Sequence, residues 1–299
     1  MKINDQLSIK FRAKTFYFAS IFLPKNTRKD IESLYTFCRY LDDIGDEKNI
    51  KKKESIKKLN EIKNNIRKKN TENLIVSNFI NLQKRYKIDN QVVFHLIEGI
   101  KSDLNESVDI KDDKQLFIYC YSVAGTVGFM FCKIINVTNK ELYLRAIQLG
   151  IGMQRTNISR DIKEDLELNR IYLPRTKRKF KGEKKKILEN KSLRLSLSHD
   201  LKIFLHETDQ YYLNSWEGIK KLPFKYSLSI AIAAELYQRI GFKIIKNKCN
   251  IWESRIHLKL LEKIFYSFIA IFKLVFSKKD INEKIDNKCN ILLKKLKIL

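Results

Sequence analysis

Residues 35–46, YTFCRYLDDIGD, place polar side chains at a spacing that could hold a metal ion and a phosphate. Four of them stand at positions i, i+4, i+7 and i+11: Tyr35, Arg39, Asp42 and Asp46. In an α-helix this spacing puts all four side chains on one face. Apolar residues border the stripe on both sides. We therefore expect it to line a cavity rather than to face bulk water.

A second segment repeats this arrangement. Residues 154–165 read QRTNISRDIKED, and positions i, i+3, i+7 and i+11 are Gln154, Asn157, Asp161 and Asp165. One helical face again carries polar side chains, here two amides and two carboxylates. Apolar residues accompany this stripe too, so the sequence predicts a second polar face that borders the core.

The two faces together indicate a shared cation. Carboxylates one helical turn apart repel each other, and burying them is costly unless a cation neutralises them. Oxygen ligands without His or Cys favour Mg²⁺, or Mn²⁺ in its place, over zinc. Mg²⁺ held by few carboxylates completes its shell with water and phosphate oxygens, which predicts diphosphate chemistry. A solvated acidic surface is the alternative that spacing leaves open. The candidate metal ligands are Asp42, Asp46, Asn157, Asp161 and Asp165.

Helices must position these faces, because the sequence encodes few turns. It contains 9 Gly and 3 Pro among 299 residues, too few for an all-β fold. Hydrophobic periodicity predicts a single all-α domain over residues 1–299, with about eight to ten helices. Helices are expected at 72–104, 114–136, 140–168, 193–217, 226–248 and 250–299, with a solvated helix or loop at 47–70 and a basic connection at 177–191.

The formal net charge of +26 restricts the partners of the protein. Such a charge is typical of proteins that bind nucleic acid, an anionic membrane or a polyanionic substrate, although a codon bias toward Lys, Asn and Ile would also produce it. The basic residues are spread along the chain without a recognisable nucleic-acid module, so no nucleic acid is expected as a partner. Five cysteines without a CxxC pair are typical of reduced thiols in a cytoplasmic protein.

Two observations concern membranes. The N-terminus lacks the apolar segment of a signal peptide, and no run of 18 or more apolar residues occurs, so we expect no membrane-spanning helix. Residues 264–276, IFYSFIAIFKLVF, are too short to span a bilayer. We expect a buried core helix there. The alternative is an interfacial helix that helps a basic surface make peripheral contact with the inner face of an anionic membrane.

Six segments together resemble the squalene/phytoene synthase family, most closely its bacterial phytoene synthases. They follow in the family's order: AKTFYFASIFLPKNTRKDIESLYTFCRYLDDIGDE, EGIKSDL, YCYSVAGTVGFM, GMQRTNISRDIKEDLELNRIYLP, WEGIKKLP and AIAAELYQRIG. The resemblance runs from about residue 11 to residue 260, which leaves 261–299 as a C-terminal helical extension. It implies an all-α isoprenoid-synthase helical bundle whose two aspartate motifs face each other across a central cavity.

The resemblance also implies roles for individual residues. The family's early Ser-Lys-Ser-Phe motif has lost its first hydroxyl at Ala13, which leaves the diphosphate contact to Arg12, Lys14 and Thr15. The catalytic positions match Asp42, Asp46, Asp161, Asp165, Arg39 and Tyr121. The substrate-binding positions match Arg12, Lys14, Thr15, Phe16, Tyr35, Arg39, Gln154, Arg160 and Tyr237. Simpler alternatives remain: Arg39 could pair with a carboxylate of its own helix, and Tyr121 and Tyr237 could be core tyrosines.

By this resemblance the protein joins two prenyl diphosphates head to head, and the expected reaction converts two geranylgeranyl diphosphates to phytoene and diphosphate. The alternatives are squalene, dehydrosqualene and presqualene-diphosphate synthases, which use farnesyl diphosphate; NADPH would be a cofactor only of a squalene synthase. A nucleic-acid-binding protein would rest on the charge alone. A non-catalytic, membrane-associated assembly factor is a further alternative, but such relatives tend to lose the aspartate motifs, which are intact here.

Overall fold

The computed structural model describes residues 14–47, 51–180 and 184–276, and in these ranges the fold is all-α, as predicted. The helices are α1 Lys14–Ser20, α2 Lys25–Asp46, α3 Lys52–Lys68, α4 Leu74–Tyr86, α5 Asn90–Ser102, α6 Asp113–Cys120, α7 Thr126–Ile134, α8 Lys140–Arg160, α9 Ile162–Glu167, α10 Lys184–Glu189, α11 Lys191–Lys220, α12 Phe224–Lys246 and α13 Leu260–Phe276. A π-helical segment, Tyr121–Gly125, joins α6 to α7, and a 3₁₀ turn spans Arg175–Lys177. The short strands β1 Val108–Asp109 and β2 Arg170–Ile171 pair in parallel, with Val108 opposite Arg170.

The prediction of one helix over residues 72–104 is wrong, because local chemistry ends the helix after its first half. Lys87 adopts a left-handed backbone conformation with φ of 50° and closes α4. Asp89 then caps α5, since its carboxylate accepts a hydrogen bond from the backbone N–H of Gln91 at 2.7 Å. A left-handed C-cap followed by an acidic N-cap is a common way to turn the chain between two helices.

The predicted helix over residues 140–168 is also interrupted. Asp161 ends α8 and precedes α9, so the interruption falls inside the second acidic segment. Within the basic connection predicted at 177–191, the short helix α10 forms. The interruption at Asp161 lies between two of the predicted metal ligands, although the backbone N–H of Asp165 still donates to the carbonyl of Asp161 at 2.9 Å.

Helix α2 shows how the first polar stripe is held toward the interior. Its buried face consists of Leu34, Phe37, Leu41 and Ile44, which recur with helical spacing. The ring of Phe37 stacks on that of Phe79 in α4 at 3.7 Å between centroids. This packing fixes the rotation of α2 and hence the direction of its polar stripe.

Helix α8 lies in the centre of the bundle, where it packs against α7, α11 and α12. Because 14 of its 21 residues are buried, its polar side chains need partners inside the protein. Arg155 has them: its Nε donates to Thr208 Oγ1 at 3.0 Å, and its guanidinium lies 3.9 Å from the ring centroid of Phe204. The second polar stripe therefore projects from a helix that is fixed on nearly all sides.

The helix that runs through α6, the π-helical segment and α7 packs very closely on α8. A Cβ atom added at Gly128 would lie 2.4 Å from the carbonyl oxygen of Ala146. The stretch Asp113–Ile134 is also long and apolar enough to cross a membrane by length and composition, with a mean hydropathy of 1.4. However, 56% of that window is buried inside the protein, as in a core helix.

The prediction that residues 264–276 form a buried core helix is wrong. Helix α13 is present, but only Ser267 and Ala270 of its residues are buried. The physical reason is that its charged residues Glu262 and Lys273 face α12, where they form ion pairs with Lys243 and Glu235. The apolar side chains of α13 consequently face outward.

Candidate active site

A cavity of about 330 Å³ lies between α1, α2, α7, α8, α11 and α12. Much of its wall is apolar, with side chains such as Leu34, Val127, Leu149, Ile219 and Ile230. Several predicted site residues also line it: Phe16, Tyr35, Asp42, Gln154 and Asn157. Side chains from both polar stripes therefore contact one cavity. Asp46, one turn beyond Asp42 on α2, is exposed to solvent.

The first stripe carries a carboxyl group with a strongly shifted pKa. Burial raises the pKa of Asp42 to about 7, Arg39 opposes this rise, and the charges of Asp46 and Asp103 add to it. Arg39 itself pairs with Asp43, with Nη2 at 2.5 Å from Oδ1. The pairing within one helix that was the alternative for Arg39 thus exists in the structure. Asp42 keeps an excess of negative charge around it.

Asp103 is a site residue that sequence reasoning missed. It lies just after α5, and it accepts hydrogen bonds from the hydroxyls of Tyr172 at 2.7 Å and Tyr119 at 3.0 Å. Burial raises the pKa of Asp103 to about 6 against these bonds. Its charge raises the pKa of both Asp42 and Asp165, so Asp103 interacts electrostatically with both acidic segments. The segment EGIKSDL contains it, which was the available signal.

The second acidic segment contains two carboxylates in opposite situations. Burial, with the nearby charge of Asp161, raises the pKa of Asp165 to about 8. Burial also disfavours the charge of Asp161, but hydrogen bonds from Arg160 and Arg255 outweigh it and hold the pKa of Asp161 below its usual value. Arg160 donates at 2.7 and 2.6 Å and Arg255 at 2.8 Å to each oxygen. Arg255, which follows α12, was also missed.

Arg170 of β2 is a third residue that the sequence did not single out. It lies 3.5 Å from Asp46 Oδ1, and its positive charge opposes the raised pKa values of Asp103 and Asp165. Thus Arg170 contributes positive charge to both acidic segments. The parallel pairing of β2 with β1 holds it there.

The polar end of the cavity fits a divalent cation. Asn157 Oδ1 is buried and accepts no hydrogen bond within the described residues, while its Nδ2 donates to Gln154 Oε1 at 3.3 Å. In the same part of the chain, no hydrogen bond reaches the carboxylates of Asp42 and Asp165, and burial disfavours the charged form of both groups. Oxygen donors of this kind suit Mg²⁺.

The structure also limits how such an ion would be held. Across residues 14–47, 51–180 and 184–276, no group of three Asp, Glu, His or Cys side chains has the spacing to hold a metal ion by itself. The predicted ligands Asp46 and Asp161 are paired with arginines. An ion would therefore take few protein ligands, chiefly Asp42 and Asn157 of the cavity wall with Asp165 of the second acidic segment, which does not line the cavity, and complete its shell with water and diphosphate oxygens.

The N-terminal helix brings aromatic residues to the second acidic segment. The rings of Phe16 and Tyr237 are 4.9 Å apart. Burial raises the pKa of Tyr237 to about 12, with Arg160, Asp161 and Tyr35 close enough to affect it. Thr15 lies beside Phe16 in α1, whereas Arg12 and the side chain of Lys14 lie outside the described residues.

Tyr121 lies in the core of the bundle, next to His95. It opens the π-helical segment, is 1% exposed and is not among the side chains that line the cavity. Its hydroxyl lies 3.2 Å from Nδ1 of His95. Burial, with the charge of Lys63, lowers the pKa of His95, so the imidazole is neutral. This is the environment of a core tyrosine with a satisfied hydroxyl, which was the alternative for Tyr121.

The fold is thus an all-α bundle around a largely apolar cavity whose wall also carries Asp42, Gln154 and Asn157. The sequence model of the squalene/phytoene synthase family matches residues 9–262, and the chain belongs to this family. Its members are prenyltransferases that condense prenyl diphosphates head to head and use a divalent metal ion for these substrates; the protein is therefore a prenyltransferase of this kind.

Comparisons with individual proteins agree with this assignment. The chain is 28% identical over 263 residues to a 15-cis-phytoene synthase of Pantoea ananas, covering 84% of this chain and 85% of the relative. It is 26% identical to phytoene synthase 1 of Arabidopsis thaliana over 84% of this chain and 61% of the relative. A dehydrosqualene synthase crystal structure superimposes with a TM-score of 0.77 at 23% identity, covering 89% of this chain and 93% of that one. A squalene synthase of Alicyclobacillus acidocaldarius gives 0.69 at 19% identity, with coverage of 83% and 94%.

Proposed function

We propose that the protein condenses two molecules of geranylgeranyl diphosphate to phytoene, with release of two diphosphates. The observation that carries this proposal is the cavity itself, whose apolar wall adjoins Asp42 and Asn157. An apolar wall beside a carboxylate and an amide suits a substrate that has a hydrocarbon tail and a diphosphate. The choice of phytoene rests on the named relatives, since phytoene synthases of bacteria and plants align with 84% of the chain.

The reaction runs in two ionisations. In the first, a C–O bond of one substrate breaks, and its electron pair leaves with diphosphate. The double bond of the second substrate attacks the allylic cation, and loss of a proton gives a cyclopropylcarbinyl diphosphate. In the second, the remaining diphosphate leaves, the carbon skeleton rearranges, and loss of another proton forms the linear product. No reductant is consumed, so NADPH is not required for this product.

The side chains at the acidic end stabilise the leaving groups. A divalent cation, Mg²⁺ in this proposal, would neutralise negative charge on the departing diphosphate when bound. Asp42, Asn157 and Asp165 are the residues that would hold it. Arg160 and Arg170 lie at the same end and supply positive charge toward the diphosphate oxygens.

The apolar wall protects the reactive cation. Water would quench an allylic cation, so the cavity must exclude it during the reaction. Phe16 and Tyr35 line the cavity close to the acidic residues, where an aromatic face can stabilise positive charge. These side chains therefore contribute to orientation and to cation stabilisation together.

A product assay tests the proposal. Purified protein with Mg²⁺ is offered farnesyl or geranylgeranyl diphosphate, each with and without NADPH, and the extracted lipids are identified by mass. We expect a C40 hydrocarbon from the C20 substrate without reductant. A C30 product would replace phytoene by squalene or dehydrosqualene while keeping the family's chemistry.

A pair of variants controls this assay. Asp42→Asn should abolish most activity, whereas Asp112→Asn makes the same change at a helix cap outside the cavity, where Asn caps equally well. If folded wild-type protein with metal gives no condensation, the catalytic proposal is wrong and the non-catalytic assembly factor becomes the better explanation.

A further inference from the structure

Helix α13 has its polar and apolar sides reversed relative to an ordinary surface helix. Its charged residues point toward the protein: Glu262 accepts two contacts of 2.7 Å from Nζ of Lys243, and Lys273 Nζ donates to Glu235 Oε2 at 2.7 Å. Glu235 is fully buried, so its pairing with Lys273 holds the polar side of α13 firmly on α12.

The opposite side of α13 is a continuous apolar surface. Leu261, Phe265, Phe268, Phe272 and Phe276 recur with helical spacing and are between 60% and 81% exposed. We call these five residues the outer face of α13. Leu260, Ile264 and Val275 are also exposed, and no charged residue of α13 is exposed.

Leaving such a surface in water is unfavourable. Each large apolar side chain loses about 1.5–3 kcal/mol of transfer free energy when it stays exposed rather than buried. Contiguous apolar patches of this kind on soluble proteins usually mark a surface that contacts another apolar phase. An amphipathic helix that only packed on the bundle would have the reverse orientation.

We propose that the outer face of α13 inserts into the interfacial region of a membrane that contains anionic lipid. Charge complementarity selects this occupant. The chain carries a net charge of +26, and the sequence that directly follows α13, residues 277–299, has seven lysines against three acidic residues. Each lysine near an anionic surface contributes about 1 kcal/mol of attraction.

A second copy of the chain is a poorer occupant, because two molecules of charge +26 repel each other. The dimensions also suit an interfacial position, because α13 has 17 residues and packs on α12. Its axis can therefore lie in the membrane plane, with the phenylalanines of the outer face directed toward the acyl chains.

Vesicle co-sedimentation of the full-length protein tests this inference without any substrate. The probes are vesicles of phosphatidylcholine alone and of phosphatidylcholine mixed with phosphatidylglycerol. We expect binding to the mixed vesicles that weakens with salt, and at least tenfold weaker binding of the double variant Phe268→Ser/Phe272→Ser. Both side chains are exposed, so the variant should unfold at or above the wild-type temperature.

A matched control places the same change elsewhere. Leu74 and Leu195 are 67% and 64% exposed on α4 and α11, so Leu74→Ser/Leu195→Ser removes similar apolar surface without touching α13. The control should bind vesicles like the wild type. Equal binding by the wild type and the α13 variant would overturn the proposal, as would a wild-type dimer, measured by sedimentation, that the α13 variant loses while neither protein binds vesicles.

This inference is independent of the proposed reaction. Vesicle binding is measured without prenyl diphosphate or Mg²⁺, and condensation is measured in detergent micelles without vesicles. A protein that makes phytoene but does not bind vesicles would contradict only the membrane proposal. A protein that binds vesicles but makes no phytoene would contradict only the proposed reaction.

Discussion

The hydroxyl of Tyr172 donates a hydrogen bond of 2.7 Å to Oδ1 of Asp103 and so connects the chain after β2 to the end of α5. Tyr119 donates to the other oxygen at 3.0 Å, and its ring stacks on that of Tyr172 at 4.6 Å. The two tyrosines fix a carboxylate whose charge acts on both Asp42 and Asp165. Asp103 thereby couples the two acidic segments electrostatically.

Tyr172→Phe tests this coupling. The hydrogen bond from Tyr172 lowers the pKa of Asp103, which burial alone would raise further. Without it we expect the pKa of Asp103 to rise above about 6 and the turnover at neutral pH to fall about tenfold, the effect of one hydrogen bond to a charged group. The loss should shrink at alkaline pH, where Asp103 ionises again, so a pH profile of kcat/KM is the measurement.

The control for this prediction is Tyr143→Phe. Tyr143 also has a buried hydroxyl, but it donates to the backbone carbonyl of Val137, away from the acidic segments. We expect it to lower stability without moving the pH profile. A Tyr172→Phe profile that is parallel to wild type at every pH would show that Asp103 has no electrostatic role.

Metal-free protein should lose stability as the pH rises. The pKa values of Asp42 and Asp165 are raised by burial to about 7 and about 8, above the value of about 4 expected in the unfolded chain. The folded state therefore binds more protons, and these groups favour folding at low pH. Their contribution, on the order of a few kcal/mol, is lost between about pH 4 and pH 8.

Unfolding temperatures in EDTA and in Mg²⁺ across this range are the measurement. We expect the decline in EDTA to be reduced by Mg²⁺, because a bound cation stabilises the ionised carboxylates. Asp42→Asn should reduce the decline in EDTA without abolishing it, because Asp165 keeps a raised pKa, while Asp112→Asn should leave it intact. Identical slopes with and without Mg²⁺ would show that these carboxylates bind no cation.

Much of this site could be predicted from spacing alone. The spacing i, i+7 on a helix determines that Asp42 shares a face with Tyr35, and the spacing i, i+3 does the same for Gln154 and Asn157. The structure puts all four around one cavity. Each of these side chains belongs to a stripe that is regular within its own helix, which is why the periodicity sufficed.

Other parts could not be predicted, because they depend on tertiary contacts. Arg255 reaches Asp161 across 94 residues of sequence, and Asp103 stands alone at a helix end rather than in a stripe. The orientation of α13 shows the same limit. Periodicity predicts that an apolar stripe exists, but the buried partner Glu235, which holds Lys273 inward, decides that the stripe faces out.

Asn157→Leu separates metal binding from stability. Oδ1 of Asn157 is buried without a hydrogen bond from the described residues, which costs about 1–3 kcal/mol in the metal-free protein. Leucine has a similar shape and removes this penalty. We expect the metal-free variant to be about 1 kcal/mol more stable than wild type and to lose most of the Mg²⁺-dependent rise in unfolding temperature, together with its activity.

The matched control lies on the same helix. Gln148 of α8 has both amide atoms buried without a partner in the described part of the chain, but it does not line the cavity. Gln148→Leu should also stabilise the protein while keeping the full response to Mg²⁺. If both variants respond to Mg²⁺ like the wild type, Asn157 is not a ligand.

Gly128→Ala should destabilise the protein although alanine is the better helix former. Alanine is favoured over glycine in a helix by about 1 kcal/mol. At Gly128, however, the new Cβ would lie 2.4 Å from the carbonyl oxygen of Ala146, and a backbone atom cannot move away unless α7 and α8 separate. Overpacking of this kind costs about 1–3 kcal/mol, so the steric term should outweigh the helix propensity.

Gly241→Ala is the control, because a Cβ there would meet only the side chain of Leu205 at 3.4 Å, an ordinary contact. Denaturant unfolding of both variants is the measurement: we expect a lower midpoint for Gly128→Ala and an unchanged or higher one for Gly241→Ala. Since Gly128 also lines the cavity, separation of α7 from α8 should raise KM for the prenyl substrate as well. Equal midpoints would mean that the two helices can move apart without loss, and that the close contact does not define the shape of the cavity.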